Sequence, residues 1–124
     1  MSDGWRIAAA STDGKVINDH FGRADVFYIV DISQDGTYMF IEKRDVGKLC
    51  VGHEHSDDAM TARIKALNDC CAVLVAMIGP TAKRALDIAG IAVFEQPGII
   101  DTTLKRLADY FIKMKARKAP ARGT

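Results

Sequence analysis

The sequence predicts a mixed α/β domain, and three observations carry that prediction. Two Asp-Gly pairs, Asp13-Gly14 and Asp35-Gly36, sit between apolar, β-branched runs and mark tight turns. Residues 70–78 form an almost wholly apolar run, the pattern of a central strand buried on both faces. Apolar residues recur at helical spacing after Ser56, after Pro80 and after Asp101. The resulting order is β-β-β-α-β-α-β-α. An antiparallel meander followed by βαβ crossovers gives a mixed five-stranded sheet flanked by three helices.

Taken in order, Trp5 to Ala10 is the first strand and stops at Thr12-Asp13-Gly14-Lys15. Val16 to Arg23 has no clean period and reads as a loop. Val26–Ile32 and Thr37–Arg44 are rich in β-branched and aromatic residues, and Ser33-Gln34-Asp35-Gly36 joins them as a hairpin. Asp45 to His55 fits no regular period. A helix then starts with Ser56 as N-cap and Asp57 and Asp58 in its first turn, where carboxylates meet the positive end of the dipole. Ala59, Met60, Ile64 and Leu67 form its apolar stripe, and Asn68-Asp69 closes it. After the strand at 70–78, Pro80 opens a second helix that runs to Ala89, with Gly90 just beyond its end. A strand at Ile91–Phe94 and a loop at Glu95-Gln96-Pro97-Gly98 lead into a last helix from about Asp101 to Lys115. That helix carries Leu104, Leu107, Ala108, Phe111 and Ile112 on one face.

No linker, repeat or low-complexity tract divides the 124 residues, so residues 1–124 read as one domain, with a core at about 5–112 and a basic tail at 113–124. Apolar residues make up 48% of the chain, enough for a core without disulfide staples. A net charge of +1 offers no global field for nucleic acid. The run KMKARKAPAR from Lys113 to Arg122 is read as a solvated helix end, since cations favour that terminus. The apolar stretch Ala72 to Ile78 is far too short to span a bilayer, and the N-terminus lacks the pattern of a secretory signal. Three cysteines, Cys50, Cys70 and Cys71, then point to reduced thiols in the cytoplasm. Neither nucleic acid nor membrane is expected as a partner.

All three histidines fall in two irregular segments: His20 in one, His53 and His55 beside Cys50 in the other. Thiolate and imidazole select zinc, copper or iron–sulfur species over magnesium or calcium. Cys50, His53 and His55 place three such donors within six residues, a C-x2-H-x-H arrangement. His20 alone reads as a turn histidine bonded to local backbone. Cys70 and Cys71 read as core, because buried free cysteine behaves as a small apolar residue and adjacent strand residues point to opposite faces, so that both do not easily ligate one metal. Met60, Met77 and Met114 read as packing residues. Gly79-Pro80-Thr81 is a structural turn without the glycines and lysine of a P-loop. Nothing supplies a nucleophile elbow, an oxyanion hole or paired carboxylates, so the residues do not describe an enzyme.

The segments Ile7-Ala8-Ala9-Ala10-Ser11-Thr12-Asp13-Gly14 and Val16-Ile17-Asn18-Asp19-His20-Phe21-Gly22-Arg23-Ala24 resemble the start of the dinitrogenase iron–molybdenum cofactor-biosynthesis domain. That domain occurs in NifX-like proteins, at the C-terminus of NifB-like proteins and in nitrogenase accessory factors. Ala66-Leu67-Asn68-Asp69-Cys70, Ile78-Gly79 and Ala85 to Ile91 are similar to its second half. The resemblance implies an RNase H-like fold. It also implies a non-enzymatic carrier that takes an iron–sulfur cluster or iron–molybdenum cofactor precursor from an assembly scaffold towards nitrogenase apo-protein. It raises His20, in the His-Phe-Gly turn, to first candidate ligand, with Phe21, Gly22 and Arg23 around the cargo. It also sets Cys50, His53 and His55 beside it as metal ligands. Sulfide-rich clusters are usually anionic, and Arg23, Lys43, Arg44 and Lys48 flank the two loops as cations. The alternatives are a small zinc- or copper-binding protein and a cluster-free interaction module of the same fold.

Overall fold

A computed structural model describes residues 4–46 and 56–123, with side chains over 4–46 and 60–114. β1 (Trp5–Ala10), β3 (Val26–Ile32) and β4 (Tyr38–Asp45) form the meander. α1 (Ser56–Ala66), β5 (Ala72–Val75), α2 (Pro80–Ile88), β6 (Ala92–Glu95) and α3 (Ile100–Gly123) follow. The five-stranded sheet has the order β4-β3-β1-β5-β6. β3 is antiparallel to both β1 and β4, whereas β1, β5 and β6 run parallel. The mixed sheet and its three helices are those the sequence predicts.

Alternation along the strands builds two cores. Ala8, Phe27, Ile29 and Val73 face α1 and α2 and meet Ile64, Leu67, Ala82 and Leu86. Ile7, Ala9, Val30 and Leu74 face α3 and meet Ile100, Leu104, Leu107 and Ala108. Small alanines at 8, 9 and 10 are fully buried in the central strand and let helices approach it on both sides. Gly36 turns the hairpin with φ +93°, and Gly90 ends α2 with φ +83°, a conformation that L side chains rarely adopt.

Four boundaries differ from expectation. Val16–Ile17, read as loop, is a short strand, β2, which pairs antiparallel with β7 (Gly98–Ile99), itself placed where a loop at 95–98 was expected. A two-residue strand has no measurable period, and Ile17 betrays it only by being fully buried. The strand expected over 70–78 is trimmed to Ala72–Val75, because the apolar residues outside it sit in the turns at its two ends. The last helix runs on to Gly123, past the expected end at Lys115. Among the described residues no helix is long and apolar enough to cross a membrane.

Strand direction decides what gathers where. One end of the sheet collects the C-terminal ends of β1, β4, β5 and β6 together with the start of β3. In open α/β sheets the carboxyl ends of parallel strands are where ligands bind. The segment that enters β3 at this end contains His20.

Candidate functional site

The His20 segment is fastened to the chain that leaves β5. Ala76 N donates to Asp19 O at 2.9 Å and Phe21 N donates to Met77 O at 3.0 Å. Between these bonds His20 and Met77 form a parallel β-bridge. The chain then turns sharply, with the N–H groups of Arg23 and Ala24 both donating to His20 O at 3.0 and 2.9 Å. Asp19 Oδ1 accepts from His20 N at 3.1 Å and stiffens the approach.

Phe21 is fully buried and its ring centroid lies 5.9 Å from that of Phe27. It is the anchor that drives the turn into the core, leaving the half-buried His20 beside exposed Gly22 and Arg23. From the α1 side, Arg63 donates to Ala24 O and lies 3.6 Å from Asp25. The turn is therefore held from two directions.

Gly22 and Gly79 flank the bridge. A Cβ built on either meets nothing within 4 Å, and neither has positive φ. The fold accepts a side chain at both, so the turn does not require either residue to be glycine. Gly79 also caps α2, whose N-terminus has no side-chain cap and no acid in its first turn. Free N–H groups and the positive end of the dipole make that terminus hospitable to an anion. Across from it, Glu95 Oε2 accepts from Ile78 N at 3.0 Å.

Cys50, His53 and His55, with Lys48, lie outside the described residues. The chain on either side of them is anchored next to the His20 turn: Asp45 pairs with Val26 in the sheet, and α1 reaches Ala24 through Arg63. Among the described residues no group of three or more His, Cys, Asp or Glu side chains is disposed to hold a metal ion.

Two expectations about individual side chains are corrected. Arg44 does not flank the turn as a free cation. It donates to Asp69 Oδ1 at 2.8 Å, to Ala66 O at 2.8 Å and to Glu42, which ties α1 to β4. Met77 is not a packing residue: 54% of it is exposed, next to His20. Met60, by contrast, packs on the core as expected. Nothing in the local pattern separates the two methionines, since the exposure of Met77 follows from the chain leaving the sheet after Val75.

Cys70 and Cys71 lie at the opposite end of the sheet. Cys70 is buried in the α1 face of the core. Half-buried Cys71 lines a polar cleft of about 280 Å³ with Arg6, Asp31 and Asp69. Burial, with the Asp69 carboxylate adding to it, pushes the Cys70 thiol up to about 12. The thiolate is the nucleophile, so Cys70 is expected to resist iodoacetamide at pH 8 in the native protein and to react fully once urea unfolds it. Mass spectrometry of the tryptic peptides checks this, and rapid native labelling of Cys70 would contradict its placement in the core.

The family model described as dinitrogenase iron-molybdenum cofactor matches residues 4–110. A FeMo cofactor biosynthesis protein NifB from Frankia alni is 33% identical over 118 residues, covering 93% of this chain and 22% of that protein. The NifB of Herbaspirillum seropedicae is 40% identical over 86 residues, 68% of this chain and 16% of its own length. Protein NifX of Sinorhizobium fredii is 37% identical over 90 residues, 68% of this chain and 56% of that protein. The chain thus spans about a fifth of the NifB relatives and just over half of NifX. The apo form of the orange protein from Desulfovibrio gigas shares the fold, with TM-score 0.61 and 24% identity over 88% of this chain and 91% of that one. With the matched region spanning the whole sheet and the His20 turn, the chain belongs to the dinitrogenase iron–molybdenum cofactor family.

Proposed function

We propose that the chain binds an iron–sulfur or iron–molybdenum cofactor precursor at the His20 turn and carries it, without chemistry of its own, from an assembly scaffold to nitrogenase apo-protein in the cytoplasm. One observation supports this most directly. A rigidly anchored histidine sits at the carboxyl end of the sheet between two glycines, Gly22 and Gly79, that the fold itself does not require. Room left beside the backbone suits a bulky cargo, and the uncapped α2 terminus and exposed Arg23 suit an anionic one. Cys50, His53 and His55 complete the proposed ligand set, because the chain on both sides of them is held against the same turn. The RNase H-like name belongs to the same reading and rests on the strand order β4-β3-β1-β5-β6.

The test is anaerobic loading with isolated iron–molybdenum cofactor, followed by gel filtration. The wild-type chain is expected to retain broad visible absorption together with iron and molybdenum. His20→Ala should weaken retention at least about tenfold without loss of fold. A colourless protein that retains only zinc would replace this reading with the zinc-binding one. The interaction-module reading has its own observation, the exposed Met39 and Phe40 on edge strand β4. Partner capture that survives replacement of His20, Cys50, His53 and His55 would favour it.

A further inference from the structure

We propose that His20 and Met77 form a soft-donor pair, with the Met77 thioether as a second protein ligand for a thiophilic metal at the turn. The bridge is the first ground. Residues paired across a β-bridge carry their side chains on the same side, and the two strands lie roughly 4.7–4.9 Å apart. The bridge makes the two residues neighbours, and the bonds of Ala76 to Asp19 and of Phe21 to Met77 tie their segments together on either side of it. The alternation of the chain does the rest, since Phe21 is fully buried whereas His20 is only half-buried.

Exposure is the second ground. Met77 is 54% accessible at the end of a strand whose four residues are all buried. That exposure leaves the polarizable thioether sulfur accessible to a metal. The third ground is the space around the pair. Gly22 and Gly79 leave open volume on the two segments that carry the donors. Glu95 holds Ile78 N–H, so the Met77 backbone is bonded on one side to the turn and its neighbour on the other side to β6.

Thioether with imidazole is a donor set for a soft monovalent ion such as copper(I), and it discriminates against magnesium, calcium and manganese. On a metal–sulfur cargo the pair would take a single thiophilic metal at the cluster surface and leave the remaining metals to sulfide. Two ligands of this kind hold less firmly than a four-thiolate cage, which suits release. The assignment to cargo rests on the carrier reading; the donor pair itself does not.

Silver(I), a redox-silent soft ion, is the probe. The full chain, labelled with 13C at the methionine methyl groups and at the histidine rings, is titrated under nitrogen and followed by NMR. Thiols compete for silver, so each resonance is followed separately beyond three equivalents. The Met77 methyl, assigned by its loss in Met77→Leu, is expected to shift together with the His20 ring at one common equivalence point. Met77→Leu and His20→Ala should each weaken that step about tenfold or more. Leucine matches methionine in volume, so the first variant keeps the fold. A His20 shift without a Met77 shift overturns the pair, and so does a Met77 shift that His20→Ala leaves unchanged. Cofactor retention is measured on the same variants. A silver step with no cofactor retention keeps the donor pair and defeats the carrier reading. Retention that needs His20 but not Met77 keeps the carrier reading and overturns the assignment of Met77 to the cargo.

Discussion

Phe21→Ala is expected to lower the unfolding free energy by about 3–5 kcal/mol, and His20→Ala, one residue away, to change it by less than about 0.5 kcal/mol. The asymmetry follows from geometry. Phe21 is fully buried, packs on Phe27 and shares a core with Ala24, Val75 and Val46. Its removal opens a cavity under the turn in a layer that small alanines in β1 cannot collapse to fill. His20 is half-buried, and the bonds that fix its place use its backbone rather than its ring. Against a domain stability of roughly 5–15 kcal/mol, the Phe21 loss is a large share. It corresponds to a fall in Tm on the order of 10 °C. Urea titration followed by far-UV circular dichroism gives the free energies. Equal losses in the two variants would show that the ring of His20 is structural and would remove the reason for assigning it to cargo. The consecutive residues of one short motif thus have separable duties: the phenylalanine holds the turn, and the histidine is what the turn presents.

How far the sequence discloses this arrangement depends on the range of the force that decides each feature. Val26–Ile32 and the Asp35-Gly36 turn are legible because alternation and turn chemistry act within a few residues, and the structure reproduces both. Pro80 and Gly90 mark the ends of α2 for the same reason. The β2–β7 ribbon is not legible, since its two residues per strand are ordered by pairing between positions some eighty apart. Arg44 shows the same limit. Its charge suggests a cation free to meet a cluster, but its use is set by Asp69, which arrives from the far end of α1. His20 itself is a bland turn residue by pattern, singled out by family resemblance and then by the bridge that sets it against Met77. Met77 needed the path of the backbone after β5, and no periodicity encodes that.

Asp69 supplies the second large effect. It accepts from Arg44 at 2.8 and 3.0 Å and from Arg6 at 3.2 Å, while Arg6 also binds Asp31 at 2.7 and 3.0 Å. One carboxylate therefore joins β1 and β4 to the end of α1, and β3 follows through the Arg6–Asp31 pair. The hydrogen bonds from Arg44 first, and from Arg6 after it, hold its carboxyl well below the usual carboxylate range, against the opposing cost of burial. Asp69→Asn is expected to cost about 1–2 kcal/mol at pH 7, less than a buried network would, because 37% of the side chain meets solvent. The pH dependence has a definite sign. A carboxyl with a lowered folded pKa binds more protons when unfolded, so its contribution is complete above the unfolded value of 3.8 and is lost as pH falls further. The stability gap between wild type and Asp69→Asn should accordingly be constant from pH 7 to about 5 and close progressively below about 4. Asp13 and Asp35 also titrate in that range, but they are common to both proteins and cancel in the difference. Urea unfolding at a series of pH values reads the gap directly, and a gap that widened on acidification would exclude the arginine pairing. Since α1 also clamps Ala24 through Arg63, the same substitution loosens one of the two restraints on the His20 turn while leaving the bridge to Met77 in place.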